Sequence, residues 1–298
     1  MKIGKSHAKV PARVICGFVC TTFSIIAVAA GLAWASIPLR SFDDVRKEHK
    51  PSDIWIVDRN GVPLESVRRS KTNRSLAWVP WPEVSPAFQD LLVLVEDRRF
   101  YSHPGIDPLA IAHATWQRVA GSSHRGASTL TMQLAMLLRD ETLGSRRNIR
   151  QKLYQAAAAL KINSLWTKEN VLEAYINLVP FRGELVGLRA ASLGYFGKNP
   201  AGLMREEAAL LIALLRSPNA PVERVAARAC TILALSDCEP IQILAQQKLL
   251  KPYKLARARE LIPVVSNKFQ IDSPDTTVIQ TSLDFRIQLL AMNALREQ

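Results

Sequence analysis

Between Arg13 and Arg40 the chain carries no charged residue, and the apolar stretch 14–37 exceeds the ~20 residues that a helix needs to cross a bilayer. No other feature restricts the fold as strongly. A helix with no polar face has no natural place on a water-soluble domain. Lys2, Lys5, Lys9 and Arg13 precede the stretch. The positive-inside rule therefore predicts residues 1–13 as a cytoplasmic tail, 14–37 as an N-terminal transmembrane helix, and the rest of the chain outside. Ala33-Trp34-Ala35 has the small-x-small form of a cleavage site. The apolar stretch is longer than the ~7–15 residues of a signal core, which favours an uncleaved anchor.

The anchor changes how the charge is read. A net charge of +13 invites a nucleic-acid reading, but an exported domain meets anionic headgroups and diphosphate-linked lipids instead. No nucleic-acid partner is expected. Arg139, Arg146, Arg147, Arg150 and Lys152 form the cluster best suited to a diphosphate. Cys16 and Cys20 fall within the anchor, whereas Cys230 and Cys238 fall in a compartment that permits disulfides. A helix carrying Cys230 that ends near Ser236-Asp237 and folds back would let these two pair.

Residues 38–84 read as a juxtamembrane hairpin and linker. Ile54-Trp55-Ile56-Val57 and Val62-Pro63-Leu64 flank Asp58-Arg59-Asn60-Gly61, and Asn-Gly is a strong hairpin signal. From Pro86 to Leu215 the periodicity is helical, with Ile149, Leu153, Ala156 and Leu160 as one apolar side. The main domain, 85–225, should be all-α, with 226–298 as an extension.

Ser85 is a natural N-cap and Pro86 a natural first helical residue, so a helix should run from about Pro86 to the arginines Arg98-Arg99, with Glu96 in its last turn. That helix is mostly apolar and expected to be buried. Burial and the negative helix pole both oppose ionisation of Glu96, which suits a general base. The bland alternative is an Asp/Glu/Arg surface turn.

Glu96-Asp97-Arg98-Arg99-Phe100-Tyr101-Ser102-His103-Pro104-Gly105 resembles the first motif of the peptidoglycan glycosyltransferases, the polymerase domains of bifunctional penicillin-binding proteins. Gly126 to Ala135 resembles the second motif and Arg150 to Gln155 the third. Lys168 to Asn177 resembles the fourth, followed by Gly194 to Lys198, and Glu207 to Asn219 resembles the fifth. Five motifs in order are far more specific than any one alone. The resemblance is greatest to the 1C branch. It implies a mainly α, lysozyme-like fold and the polymerisation of lipid II into β-1,4 glycan strands with inversion. Glu96 would be the catalytic base, supported by Asp97, Phe100, His103 and Gly105. Ser128, Thr129, Gln133, Arg139, Arg150, Lys152 and Gln155 would contact substrate or pyrophosphate. Its partners would be lipid II, the nascent glycan, membrane lipids and other cell-wall synthesis proteins, and its place the bacterial inner membrane with the catalytic domain in the periplasm. A divalent cation, Mg²⁺ or Mn²⁺, is the cofactor that such chemistry admits, with no residue fixing it.

If Ser128 caps a helix, Thr129, Gln133 and Met136 share one face while Leu130, Leu134 and Leu137 face the core. Asn148, Lys152 and Gln155 likewise share a face opposite Ile149 and Leu153. Three positions depart from the family: Gln155 replaces a glutamate, Met136 replaces a cation, and Arg182 stands where Phe181-Arg182-Gly183 would usually read Phe-Gly-Gly. These departures keep a scaffolding pseudo-enzyme open as an alternative, and a lytic muramidase is another. Thr281 to Gln288 resembles the start of a transpeptidase module. The only Ser-x-x-Lys is Ser6 to Lys9 and Lys-Thr-Gly is lacking, so no acyl-transfer apparatus is expected in these 298 residues.

Overall fold

Ser41 opens the first helix, α1 (Phe42–Glu48), by accepting a hydrogen bond from the Asp44 amide. In the computed structural model that describes the protein, residues 37–68, 70, 72–119, 128–139, 149–250, 253 and 277–296 are placed. The chain divides into two units, Met1–Arg40 and Ser41–Gln298. Residues 14–36 of the expected anchor lie outside the described residues. Among the described residues no helix is long and apolar enough to cross a membrane.

The hairpin forms as its turn chemistry requires. Strands β1 (Asp53–Val57) and β2 (Pro63–Arg68) pair antiparallel. Asp58 Oδ1 closes the turn by accepting from the Asn60 and Val62 amides at 2.7 and 2.8 Å. Strand β3 (Arg74–Ser75) follows, and the linker is then held by the fourth motif. The Glu173 carboxylate accepts from Trp78 Nε1 at 2.7 Å and from the Trp81 amide at 2.8 Å. Asn177 accepts from the Val79 amide and donates to the Val79 carbonyl, both at 2.8 Å. A carboxylate and an amide thus pair a buried stretch of backbone that has no strand partner.

Fixing this stretch fixes where the next helix begins. Helix α2 (Pro86–Glu96) has Ser85 as its N-cap, accepting from the Phe88 amide, and Pro86 in its first turn. Phe88, Leu91 and Leu92 are buried, but Leu94 and Val95 are 50% and 39% exposed. The expected burial therefore holds for one side only, and the helix stops at Glu96, with Asp97 as its C-cap, before it reaches the arginines. The succeeding helices are α3 (Pro108–Val119), α4 (Leu130–Leu137), α5 (Ile149–Leu165) and α6 (Lys168–Leu178). Strand β4 (Leu185–Val186), α7 (Leu188–Phe196) and α8 (Arg205–Leu215) follow. Helix α8 is buried from Ala208 to Leu214 and packs against α2, while α4 packs against α5 and α6.

Two further expectations need correction. Residues 85–225 are not purely helical, because β4 pairs in parallel with β3. The Phe181 amide donates to the Leu185 carbonyl, and the reversal leaves two residues extended, too few to show alternation in sequence. Leu153 does not face the core: it is 66% exposed, and the buried side of α5 is Ala158, Ala159 and Ile162. The small side chains on that side admit the close approach of the Gly105 turn. Apolar periodicity alone pointed to a larger face than the packing uses.

Arg182 is a clamp. Its guanidinium donates to the carbonyls of Pro218 at 3.1 Å, Leu249 at 3.1 Å, and Ala220. It ties the tail of the fourth motif to the turn before α9 (Val222–Leu233) and to the end of α10 (Glu239–Leu249). Helix α9 runs across position 225. Ala234 ends it in the left-handed conformation, and the chain folds back so that Cys230 and Cys238 form a disulfide with a Cα–Cα separation of 5.5 Å. Strand β5 (Val278–Gln280) then joins β1 in parallel, giving the order β2-β1-β5. Helix α11 (Phe285–Arg296) lays Phe285, Leu289 and Met292 against Ile56 and Leu64.

Candidate active site

Glu96 is the last residue of α2, at the negative pole of the helix, and is half-buried. One carboxylate oxygen accepts from Gln133 Nε2 at 3.0 Å. The other oxygen, Oε1, has no hydrogen-bond partner among the described residues. Burial raises the pKa of Glu96 above the ordinary glutamate value, and the neighbouring Asp97 charge adds to this. The Gln133 hydrogen bond and the Arg216 charge oppose it without cancelling it. A carboxylate of raised basicity with a free oxygen is what proton abstraction from a sugar hydroxyl needs.

Asp97 does different work one residue later. Its Oδ1 lies 2.9 Å from His103 Nε2 and its Oδ2 accepts from the Leu130 amide at 3.0 Å. His103 Nδ1 accepts from the Gly105 amide at 3.2 Å, so the ring proton resides on Nε2 and is donated to Asp97. Thr129 Oγ1 donates to the Gly105 carbonyl at 2.6 Å and accepts from the Met132 amide at 3.1 Å. First and second motifs are thereby stitched together through Asp97, the residue after Glu96. Lys168 of the fourth motif adds a third tie, donating to the His103 carbonyl at 2.7 Å with its ammonium 4.6 Å from the centre of the buried Phe100 ring. Asp97→Ala would strand the His103 and Leu130 donors in a buried place. We expect it to cost about 3 kcal/mol of unfolding free energy in chemical denaturation. A loss below ~1 kcal/mol would show that the stitching is dispensable.

Thr129, and not Ser128, caps α4. Both residue types can cap, and the choice is made by the Gly105 carbonyl, which the Thr129 hydroxyl reaches. Ser128 is half-buried just outside the helix. Leu130 and Leu134 are fully buried. Gln133 is half-buried and turned to Glu96. The third-motif residues are placed less fully. Lys152 is exposed and Gln155 half-buried on α5; neither hydrogen-bonds to Glu96 among the described residues. Arg150 stands in the first turn of α5 with its side chain outside the described residues, as are Arg146, Arg147 and Asn148. The Arg139 guanidinium lies 5.3 Å from the centre of the Tyr154 ring, and Gln151 Nε2 lies 3.7 Å from Met136 Sδ. Among the described residues no three His, Cys, Asp or Glu side chains gather into a metal-holding group.

Sequence reasoning missed Tyr175, whose hydroxyl donates to Gln133 Oε1 at 2.8 Å. The signal was present: a tyrosine on the apolar side of a helix needs a partner for its hydroxyl. It also missed Arg216, at the end of α8, whose charge acts on Glu96. A depression of about 620 Å³ lies elsewhere, bordered by Trp55, Arg59 and Val278.

Residues 60–236 match the family model described as Transglycosylase. Penicillin-binding protein 1C of Escherichia coli strain K12 is 41% identical over 140 residues, which is 46% of this chain and 17% of that protein. The biosynthetic peptidoglycan transglycosylase of Shewanella amazonensis is 38% identical over 168 residues, covering 56% of this chain and 66% of that one. The protein of the same name from Rhodospirillum centenum is 36% identical over 179 residues, covering 58% and 76%. The chain thus spans less than two thirds of the first two relatives. A solved structure of penicillin-binding protein 1A from Haemophilus influenzae aligns over 83% of this chain and 29% of its own, with 14% identity and a TM-score of 0.35, too low to carry a shared fold.

Proposed function

Because the chain belongs to the transglycosylase family, we propose that it is a peptidoglycan glycosyltransferase that polymerises lipid II, with Glu96 as general base. Glu96 removes the proton from the 4-hydroxyl of the acceptor disaccharide as that oxygen bonds to C1 of the donor glycan. The C1–oxygen bond to undecaprenyl pyrophosphate breaks on the opposite face, leaving an inverted β-1,4 linkage. The observation that carries this reading is the half-buried Glu96 carboxylate at the end of α2, raised in basicity and hydrogen-bonded to Gln133 through one oxygen only.

The departing diphosphate needs cations or donors. Lys152, Arg150, Arg139 and the Ser128–Thr129 turn are the groups we assign to it. Thr129 contributes through its position, since its hydroxyl is committed to Gly105 and Met132. Gln155 is neutral, and the described residues around Glu96 do not gather three His, Cys, Asp or Glu side chains. Mg²⁺ or Mn²⁺ would enter with the diphosphate and neutralise part of its charge. The protein would be a single-pass inner-membrane protein with Ser41–Gln298 in the periplasm, supported by the uncharged stretch and by the Cys230–Cys238 bridge.

The test is polymerisation of labelled lipid II by the detergent-solubilised protein with a divalent cation, with moenomycin as the family inhibitor. Long glycan that disappears with moenomycin is expected. A folded protein that binds lipid II yet makes no glycan would instead be a scaffold, and one that shortens glycan would be a muramidase.

A further inference from the structure

Tyr175 is 1% exposed, and burial together with the nearby Glu96 pushes its phenol well above its ordinary pKa. It therefore keeps its proton and acts toward Gln133 as a donor. The two ends of an amide are not equivalent: the oxygen accepts and the nitrogen donates. With Oε1 engaged by Tyr175 at 2.8 Å, the end of Gln133 that faces Glu96 at 3.0 Å is Nε2. A donor in that place favours the ionised carboxylate. Reversing the amide would set Oε1 against Glu96, an arrangement that suits only the protonated acid. It would also leave the Tyr175 proton without an acceptor among the described residues, at the cost of a buried unsatisfied donor.

We propose that Tyr175 is a positioning residue for the glycosyl transfer: it locks the Gln133 amide so that Glu96 stands as an acceptor, ready to take a proton. The consequence for turnover rests on the proposed function, but the lock itself does not. The groups that face Glu96 are Gln133 from α4, Tyr175 from α6, Arg216 at the end of α8 and the adjacent Asp97. Arg216 and Asp97 act through space, and both stay in place when only the Tyr175 hydroxyl is removed.

The experiment uses the full chain in detergent, with ¹³C in the glutamate carboxyls and the Glu96 signal assigned by its absence in Glu96→Gln. In Tyr175→Phe the Glu96 carboxyl should titrate at higher pH than in the wild type. Glycan synthesis at the acid end of the working range should fall about three- to tenfold, with the alkaline plateau within about twofold. In a Gln133→Leu background Tyr175→Phe should move the titration no further. An unchanged titration in Tyr175→Phe overturns the lock, whatever happens to activity. Should that variant fail to fold, Gln133→Leu carries the test, with the same upward shift expected and no shift overturning the proposal. A titration that moves in a protein whose wild type makes no glycan would sink the polymerase reading and leave the lock standing.

Discussion

On the proposed function, Glu96→Gln is expected to lower glycan polymerisation by about 10²–10⁴-fold, the range lost with a general base, and at the same time to raise Tm at neutral pH. The two effects have one origin. The carboxyl's pKa in the folded protein lies above its unfolded value because burial disfavours the charge. The folded state therefore binds more protons than the unfolded chain between those two values, and stability falls as pH rises through that window. Glu96 contributes least cost below its unfolded pKa and most above its folded one. A neutral glutamine still accepts from Gln133 Nε2 and carries no such cost. The Tm gain should be present at pH 7 and vanish on acidification below the ordinary glutamate range. Activity lost with a Tm that falls at pH 7 would mean that the substitution had damaged the fold and not the chemistry.

Gly105→Ala is expected to be the most damaging conservative change in the first motif. Gly105 has a φ of +97°, and a Cβ there would stand 2.4 Å from the Ala159 carbonyl oxygen and 2.8 Å from its carbon. Those atoms are backbone of α5 and cannot turn aside. Backbone strain of about 1–2 kcal/mol and steric overlap of about 1–3 kcal/mol give a total near 4 kcal/mol, or roughly 10 °C in Tm. Activity should fall as well, because the Gly105 amide and carbonyl hold His103 and Thr129. The control is Gly61→Ala. Its φ of +82° is similar, but nothing lies within 4 Å of the added carbon, so only the strain of about 1–2 kcal/mol remains. Comparable losses at both sites would show that close packing against α5 is not what selects glycine at 105.

What the sequence disclosed was local chemistry. Ser85-Pro86 announced the start of the helix that ends in Glu96, and Asn60-Gly61 announced the hairpin, because caps and turns are decided within a few residues. Where two neighbours were equally able, local chemistry did not decide. Ser128 and Thr129 both cap, and only a carbonyl 24 positions away chose Thr129. The helical pattern of α5 was visible, but its buried side was not, since the Gly105 turn selects alanines over Leu153. Glu173, Asn177 and Tyr175 share one helix, yet two of them clamp the linker and the third reaches Gln133. Their division of labour depends on partners 42 to 98 positions distant. The third strand of the sheet was missed for the same reason: three extended residues carry no record of which edge they will join.

The pairing of β5 with β1 also sets an order of events during synthesis. The hairpin leaves the ribosome early, but the Thr281 hydroxyl that bonds to the Val57 carbonyl arrives 224 positions later. At ~5–20 residues per second that interval is roughly 10 to 45 seconds. For its duration the outer edge of β1 is open to pairing with any extended segment nearby. Ile56 and Leu64 also wait for Phe285, Leu289 and Met292 to cover them. The growing chain thus has a vulnerable period, with the β1 edge and the apolar face of the hairpin both uncovered, that the folded domain does not.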